Sequence, residues 1–319
     1  MIFIGGYFEL GLRKGEHYHK NAIRFNTARN CFKYVLRARH YRKVYLPYYT
    51  CEVMMEPINK LGISFEFYPI NLSLEPVELP ALKEEEAFVY TNYFGLKQDC
   101  VKRLAEVYGP QLMVDNAQAF YAEPIQGVDT FYSARKFFGV SDGAYLYIDK
   151  PLQQDFIQDC SYERMSHLLK RIDLGAEAGY YDFQNNEDAL CNEGIKRMSK
   201  LTEAVLAGID YEEARKKRIE NYQQLEEALG ATNRLYLKSD AEGVPMIYPY
   251  LAEDHTLKQN LIKHKVFVAT YWSNVKDWTT DNMLESALAD NLIPIPCDQR
   301  YGQPEIDHII DIIIHGSRT

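Results

Sequence analysis

Short runs rich in β-branched and aromatic residues alternate with helical stretches through the first half of the chain. This alternation constrains the fold more than any other feature. Residues 44–46, 65–70, 88–93, 112–114, 130–132 and 144–148 read as strands. Residues 52–61 read as a helix closed by Gly62, and 101–107 as a helix before Gly109-Pro110. Strands separated by helices predict parallel crossover units, hence an open α/β sheet. Ligands in such sheets bind beyond the carboxyl ends of the strands.

The second half reads differently. Residues 197–229 are helical in pattern, with Gly208 as a break and Gly230 as a close. Strands are expected at 246–250 and 266–269, a helix at 257–264, and a last helix from Glu305, where Ile306, Ile309, Ile310 and Ile313 repeat at helical spacing. We therefore expect a large, mostly parallel-sheet domain over 1–205 and a smaller α+β domain over 206–319.

Composition excludes several classes. The formal charge of −9 argues against a protein that coats nucleic acid, which needs a basic face, but leaves room for an anionic substrate in a locally positive pocket. No apolar run reaches the roughly 18 residues of a membrane span. The opening Met1-Ile2-Phe3-Ile4 has no basic flank of the signal-peptide kind. The six cysteines, at 31, 51, 100, 160, 191 and 297, form no C-x-x-C pair and read as reduced core thiols. A cytoplasmic protein without a metal site is expected.

Three segments carry candidate chemistry. Asp115 ends an apolar strand, where ligands sit in an α/β sheet, and Gln118 follows three residues on. Asp115 reads equally well as a turn or N-cap residue. Lys136 lies in Ser133-Ala134-Arg135-Lys136-Phe137-Phe138, an apolar setting that would desolvate the amine and make it nucleophilic. The alternative is a lysine with its stem on the surface and its amine in water. Residues 25–32 read as a helix start whose free amides suit a phosphate, or as a plain capped helix. There is no G-x-G-x-x-G after a strand, no Walker loop and no H-E-x-x-H. Taken together, an imine-forming lysine, an acid for a ring nitrogen, a donor for a ring hydroxyl and a phosphate-binding helix start match the needs of a phosphorylated pyridine aldehyde.

With these residues in place, the chain resembles the DegT/DnrJ/StrS family of pyridoxal-phosphate-dependent sugar aminotransferases. "MVDNAQAF" resembles the family's D-x-x-Q/H motif, "FYSARKFFGVSDGAYLY" its lysine strand and Gly-rich stretch, and "KVYLPYYTCEVMMEPINKLGISFEFYPIN" the strand-helix-strand after its phosphate helix. "RMSKLTEAVLAG", "YPYLAEDHTLKQNLIKHKVFVATYW" and "IPIPCDQRY" resemble its later segments in order. The resemblance implies a fold-type I transferase that works as a homodimer with a shared active site. It implies pyridoxal 5'-phosphate as cofactor, an amino-acid donor, glutamate by analogy, and a keto-sugar nucleotide acceptor for surface polysaccharide or deoxyaminosugar synthesis. Lys136 is then the imine lysine, Asp115 pairs with the pyridine nitrogen, and Gln118 approaches the ring hydroxyl. The backbone of Ala28, Arg29 and Asn30 would hold the phosphate. Ser133 matches the serine three before the lysine in wider fold-type I enzymes, whereas the sugar enzymes place theirs five before, here Phe131. Cys51 stands where the family has its ring-stacking aromatic, leaving Tyr49 or Tyr93 as substitutes. A non-transaminating enzyme on a sugar nucleotide and an idle binding protein of this fold are the alternative readings.

Overall fold

The computed structural model describes residues 4–237 and 243–316. Residues 1–3 of the opening segment lie outside this range. In chain order the elements are β1 (Ile23–Phe25), α1 (Ala28–Arg39), β2 (Lys43–Pro47), α2 (Met55–Leu61), β3 (Ser64–Tyr68) and β4 (Glu86–Thr91). Next come α3 (Gln98–Tyr108), β5 (Leu112–Asn116), β6 (Asp129–Ser133), β7 (Ala144–Tyr147), α4 (Ser166–Leu174) and α5 (Tyr180–Leu190). The remainder is α6 (Lys200–Ala207), α7 (Tyr211–Leu229), β8 (Tyr248–Leu251), α8 (Leu257–Lys263), α9 (Val275–Trp278), α10 (Leu284–Asn291), β9 (Leu292–Ile295) and α11 (Gln303–His315).

Seven strands form one sheet in the order β1-β7-β6-β5-β4-β2-β3. The pairs β2/β3, β2/β4, β4/β5 and β5/β6 are parallel, and β7 runs antiparallel to both its neighbours. Every residue of β4, β5 and β6 is buried. A strand covered on both faces needs apolar side chains on both, which is why these segments read as continuous hydrophobic runs. Alternation divides them between two cores. Ala87, Val89, Met113, Phe131, Ala144 and Leu146 meet Cys31, Phe32, Val35 and Leu36 of α1. Phe88, Tyr90, Leu112, Val114, Tyr132 and Tyr145 face the other way, toward Val101 and Leu104 of α3 and Tyr211 and Ala214 of α7. The expected α/β sheet with helices on both faces is what forms.

A third core joins Leu225 and Leu229 of α7 to β8, β9, α8 and α11. Here two expectations change. Residues 266–269 are not a strand, because β8 and β9 pair with each other and leave 266–269 no ladder partner among the described residues. β9 was not foreseen, since Pro294 and Pro296 argue against a strand in sequence. An edge strand tolerates them, and Pro294 stands opposite Pro249 in the register. No helix among the described residues is long and apolar enough to cross a membrane.

Candidate active site

Strand parity collects the site. Asp115 is two residues beyond Met113 and Ser133 two beyond Phe131, so both project to the α1 face at the carboxyl end of the sheet. Thr91 follows Val89 by the same step and stands opposite Asp115 in the β4/β5 register. The start of α1 is tied to this edge. Gly143 donates its amide to Asn26 O at 2.6 Å, and Ala134 donates to Gly143 O at 3.1 Å. Gly143 has φ +122°, and a Cβ there would lie 3.0 Å from Thr202, so a glycine suits both the backbone and the space.

Asp115 is 8% exposed and accepts one hydrogen bond, from the Ala117 amide at 2.8 Å. Burial pushes its carboxyl above the ordinary value, while the positive charge of Lys136 and the Ala117 amide pull it back. The same Lys136 charge acts on Cys51, whose thiol burial pushes up. Lys136, Asp115 and Cys51 therefore share one electrostatic neighbourhood. Lys136 is exposed, contrary to the expected desolvation of its amine. The aromatic residues beside it, Phe137 and Phe138, turn into the core with Phe120 and Tyr121 and leave the lysine outside.

Gln118 is 1% exposed. Its Oε1 accepts from the Phe94 amide at 3.1 Å, which leaves Nε2 buried and without a partner. The approach is close: Gly95 has φ +76°, and a Cβ there would meet Val244 O at 2.4 Å and Gln118 O at 3.3 Å. Thr91 Oγ1 is likewise buried without a partner. Buried polar groups in folded proteins are nearly always paired, so these two atoms, among several such orphans in the described residues, are open to a ligand.

The helix start differs from expectation at Asn30. Thr27 caps α1 and takes the Asn30 amide on its Oγ1 at 3.1 Å, while Asn30 Nδ2 goes to Asn26 Oδ1 and Gly194 O. The amides of Ala28 and Arg29 have no partner among the described residues, as expected for a first helical turn. The Arg29 guanidinium is engaged elsewhere, with Glu56 at 3.0 Å and Leu190 O at 2.7 Å. Ser133 is buried, and its hydroxyl has no hydrogen bond among the described residues.

Of the three ring-face candidates, Tyr49 and Tyr93 are fully buried. Tyr93 donates its hydroxyl to Tyr49 O at 2.8 Å, and Tyr49 packs against Trp272. Both belong to the core; Tyr93 also feels the Asp115 charge, and Cys51 feels those of both Lys136 and Asp115. Tyr271, which sequence reasoning missed, is a close electrostatic neighbour of Cys51, and burial pushes its phenol up to about 12. Only tertiary contact brings it there, so no local pattern announces it.

Lys136 also lines an open groove of about 550 Å³ that does not include Asp115. The groove carries Arg135, Arg171, Arg218 and Arg300 besides the lysine, against the single acid Asp298. The lysine thus stands between a cationic groove on one side and a buried carboxyl on the other. Arg135 is ion-paired with Glu187 of α5, and burial lowers its guanidinium to about 10. The thiols are not all core groups: Cys160 and Cys191 are exposed. No cluster of His, Cys, Asp and Glu among the described residues could hold a metal ion.

No family model matches the sequence, and no curated protein matches it. Solved structures do match. DesV of S. venezuelae aligns with a TM-score of 0.65 at 15% identity, over 93% of this chain and 85% of that one. The sugar aminotransferase CalS13 of Micromonospora echinospora aligns with a TM-score of 0.61 at 15% identity, over 93% and 87%. A DegT DnrJ EryC1 StrS aminotransferase of Brucella abortus gives 0.61 at 14%, over 93% and 86%. The chain shares their fold. At such identity the likeness speaks for architecture, and function has to be argued from the site.

Proposed function

We propose that this chain is a pyridoxal-phosphate-dependent aminotransferase that moves an amino group from an amino acid, glutamate by analogy, to a keto-sugar nucleotide. The observation that carries the reading is the buried carboxyl of Asp115, which feels the Lys136 charge, with the unpartnered Gln118 Nε2 three residues on. The residues fit the group. Asp115 would pair with the pyridine nitrogen, Gln118 Nε2 with the ring hydroxyl, and Cys51 would lie on the ring face. The Ala28 and Arg29 amides with the Ser133 hydroxyl would hold the phosphate. When bound, the cofactor supplies an electron sink and carries the amino group between substrates. Lys136 takes the proton from the donor's α-carbon and returns it as general base and acid. Asp115, whose negative form Lys136 and the Ala117 amide favour against burial, would keep its partner nitrogen protonated.

The cationic groove supports an anionic acceptor, and a nucleotide's diphosphate suits the exposed Arg171, a groove arginine with no ion pair among the described residues. Leu169, Ile172 and Leu174 of α4 and Tyr180 and Tyr181 of α5 are exposed. An apolar face of this kind supports a homodimer with a shared site. The separate core on the far half of α7 supports a smaller C-terminal unit, although Tyr211, Ala214, Val275 and Leu288 still pack in the core of the large sheet. Free thiols, two of them exposed, support a reducing cytoplasm.

The test is optical. Purified chain mixed with pyridoxal phosphate should develop visible absorption, and Lys136→Ala should not. Glutamate should bleach the colour, and a keto-sugar nucleotide should restore it. No colour, or colour that persists in Lys136→Ala, would end the proposal; colour that glutamate leaves alone would favour an idle binding protein.

A further inference from the structure

The side chain of Lys136 has no hydrogen bond or ion pair among the described residues, so its place is set by the backbone that carries it. Within that backbone the amides of Phe137 and Phe138 both turn back to Ala134 O, at 3.0 and 2.9 Å. The next group along, the Phe137 carbonyl, is held from outside the lysine segment. Gln299 donates Nε2 to it at 2.7 Å, and Arg218 donates Nη2 at 3.4 Å. Arg218 is 1% exposed, lies 4.5 Å above the Phe137 ring, and gives Nη1 to the carbonyls of Pro245 and Met246. One turn further along α7, Asn221 donates to the carbonyls of Cys297, Asp298 and Tyr301. The stretch 297–301 is therefore anchored on α7, and from it Gln299 reaches back to the residue after the lysine.

We infer that Gln299 is a positioning residue for Lys136, with Arg218 as its buried support. The Phe137 amide on Ala134 O fixes the plane of the peptide that joins Lys136 to Phe137, and the two donors on the Phe137 carbonyl fix the next plane, so both peptides after the lysine are held and with them the direction in which its side chain leaves the backbone. Asp298 and Arg300, on either side of Gln299, are locked to each other through Nε–Oδ1 at 2.7 Å and Nη2–Oδ2 at 2.8 Å. The donor is thus presented from a rigid turn. Neither residue is expected to touch substrate or cofactor. Sequence reasoning had no access to this link, since 162 positions separate Gln299 from Phe137.

The inference rests on the proposed function, and its test separates the two. The whole chain and Gln299→Ala are each mixed with pyridoxal phosphate and followed at the visible band, as the amine adds to the aldehyde and water leaves. Each is also titrated with pyridoxamine phosphate, which has no aldehyde and does not condense with the lysine. Gln299→Ala should slow the appearance of colour about tenfold, since reacting groups must meet in a set geometry. Pyridoxamine phosphate should bind both proteins equally, and both should melt together. Gln299→Glu, which sets a carboxylate against the Phe137 carbonyl, should be slower still. Colour forming in Gln299→Ala at the normal rate would overturn the inference. Equal losses for both ligands would also overturn it, since a general structural role predicts them. If the natural chain itself forms no colour, the proposed function has failed instead.

Discussion

Asp129 and Asp115 stand on neighbouring parallel strands, at opposite ends of the sheet, and both are buried. Burial pushes both carboxyls above the ordinary value. The responses differ. At the amino end, Arg39 closes on Asp129 with Nε and Nη2, each at 2.7 Å. At the carboxyl end, Asp115 has one backbone amide and no ion-pair partner among the described residues. The first arrangement completes a fold. The second leaves a charged group short of partners beside a lysine and an unpaired amide, which makes sense only where something is to be held. The same contrast crosses the sheet. His17 meets the Tyr145 hydroxyl at 2.6 Å, and His19 is held between Phe120 O at 2.7 Å and the Tyr147 hydroxyl at 3.2 Å. Both buried histidines on that side have found their partners.

The sharpest break of this comparison is functional. Lys136→Ala should lower amino transfer by roughly 100- to 10,000-fold, measured by coupled assay, with an unchanged melting curve. Arg39→Ala should do the reverse. It strands a buried carboxylate and should cost roughly 3–5 kcal/mol in denaturant unfolding at neutral pH. Asp129 then has a folded pKa raised well above its unfolded value. The loss should therefore be largest at neutral pH and shrink as the pH falls and the carboxyl protonates. A smaller effect comes from the histidines. Burial holds both near 4, below their ordinary value, so the unfolded chain binds more protons between about 6.5 and 4. Stability should fall as the pH drops through that window and level off below it, by up to about 1.4 kcal/mol per pH unit for each group. His17→Gln should flatten the slope. The smallest effect is Asp115→Asn. Removing an underpaired charge should raise stability by about 1 kcal/mol at pH 7 while abolishing transfer. The gain should shrink as the pH falls from the raised folded value through the ordinary carboxylate range, and vanish below it, where Asp115 is protonated in both states. A loss of stability instead would mean that the two carboxylates play the same part.

Much of this was legible before folding. The buried strands announced themselves because both faces need apolar residues, and β4, β5 and β6 appear where hydrophobic runs predicted them. Asp115, Gln118 and Lys136 were readable from strand ends and local motifs. α4 and α5 were not, because helix patterns are recognised by a stripe that faces a core. Their large apolar residues, Ile172 and Tyr181 among them, point outward instead. Residues 266–269 carry a strand's composition, but a strand also needs a neighbour, and Phe267 stays half exposed. Thr91, Tyr271 and Gln299 reach the lysine's surroundings only through the assembled fold. The withdrawal of Asn30 from the helix start was implicit in Thr27, whose hydroxyl competes for the same amide.

The common parity of Thr91, Asp115 and Ser133 has an evolutionary corollary. Loops between these strands can lengthen or shorten freely, because the sheet ladder resets the spacing at each strand. Within a strand, loss of one residue would swing every later side chain to the opposite surface, whereas loss of two would restore it. Tolerated indels should therefore gather in 122–127 and avoid 112–121 and 129–133.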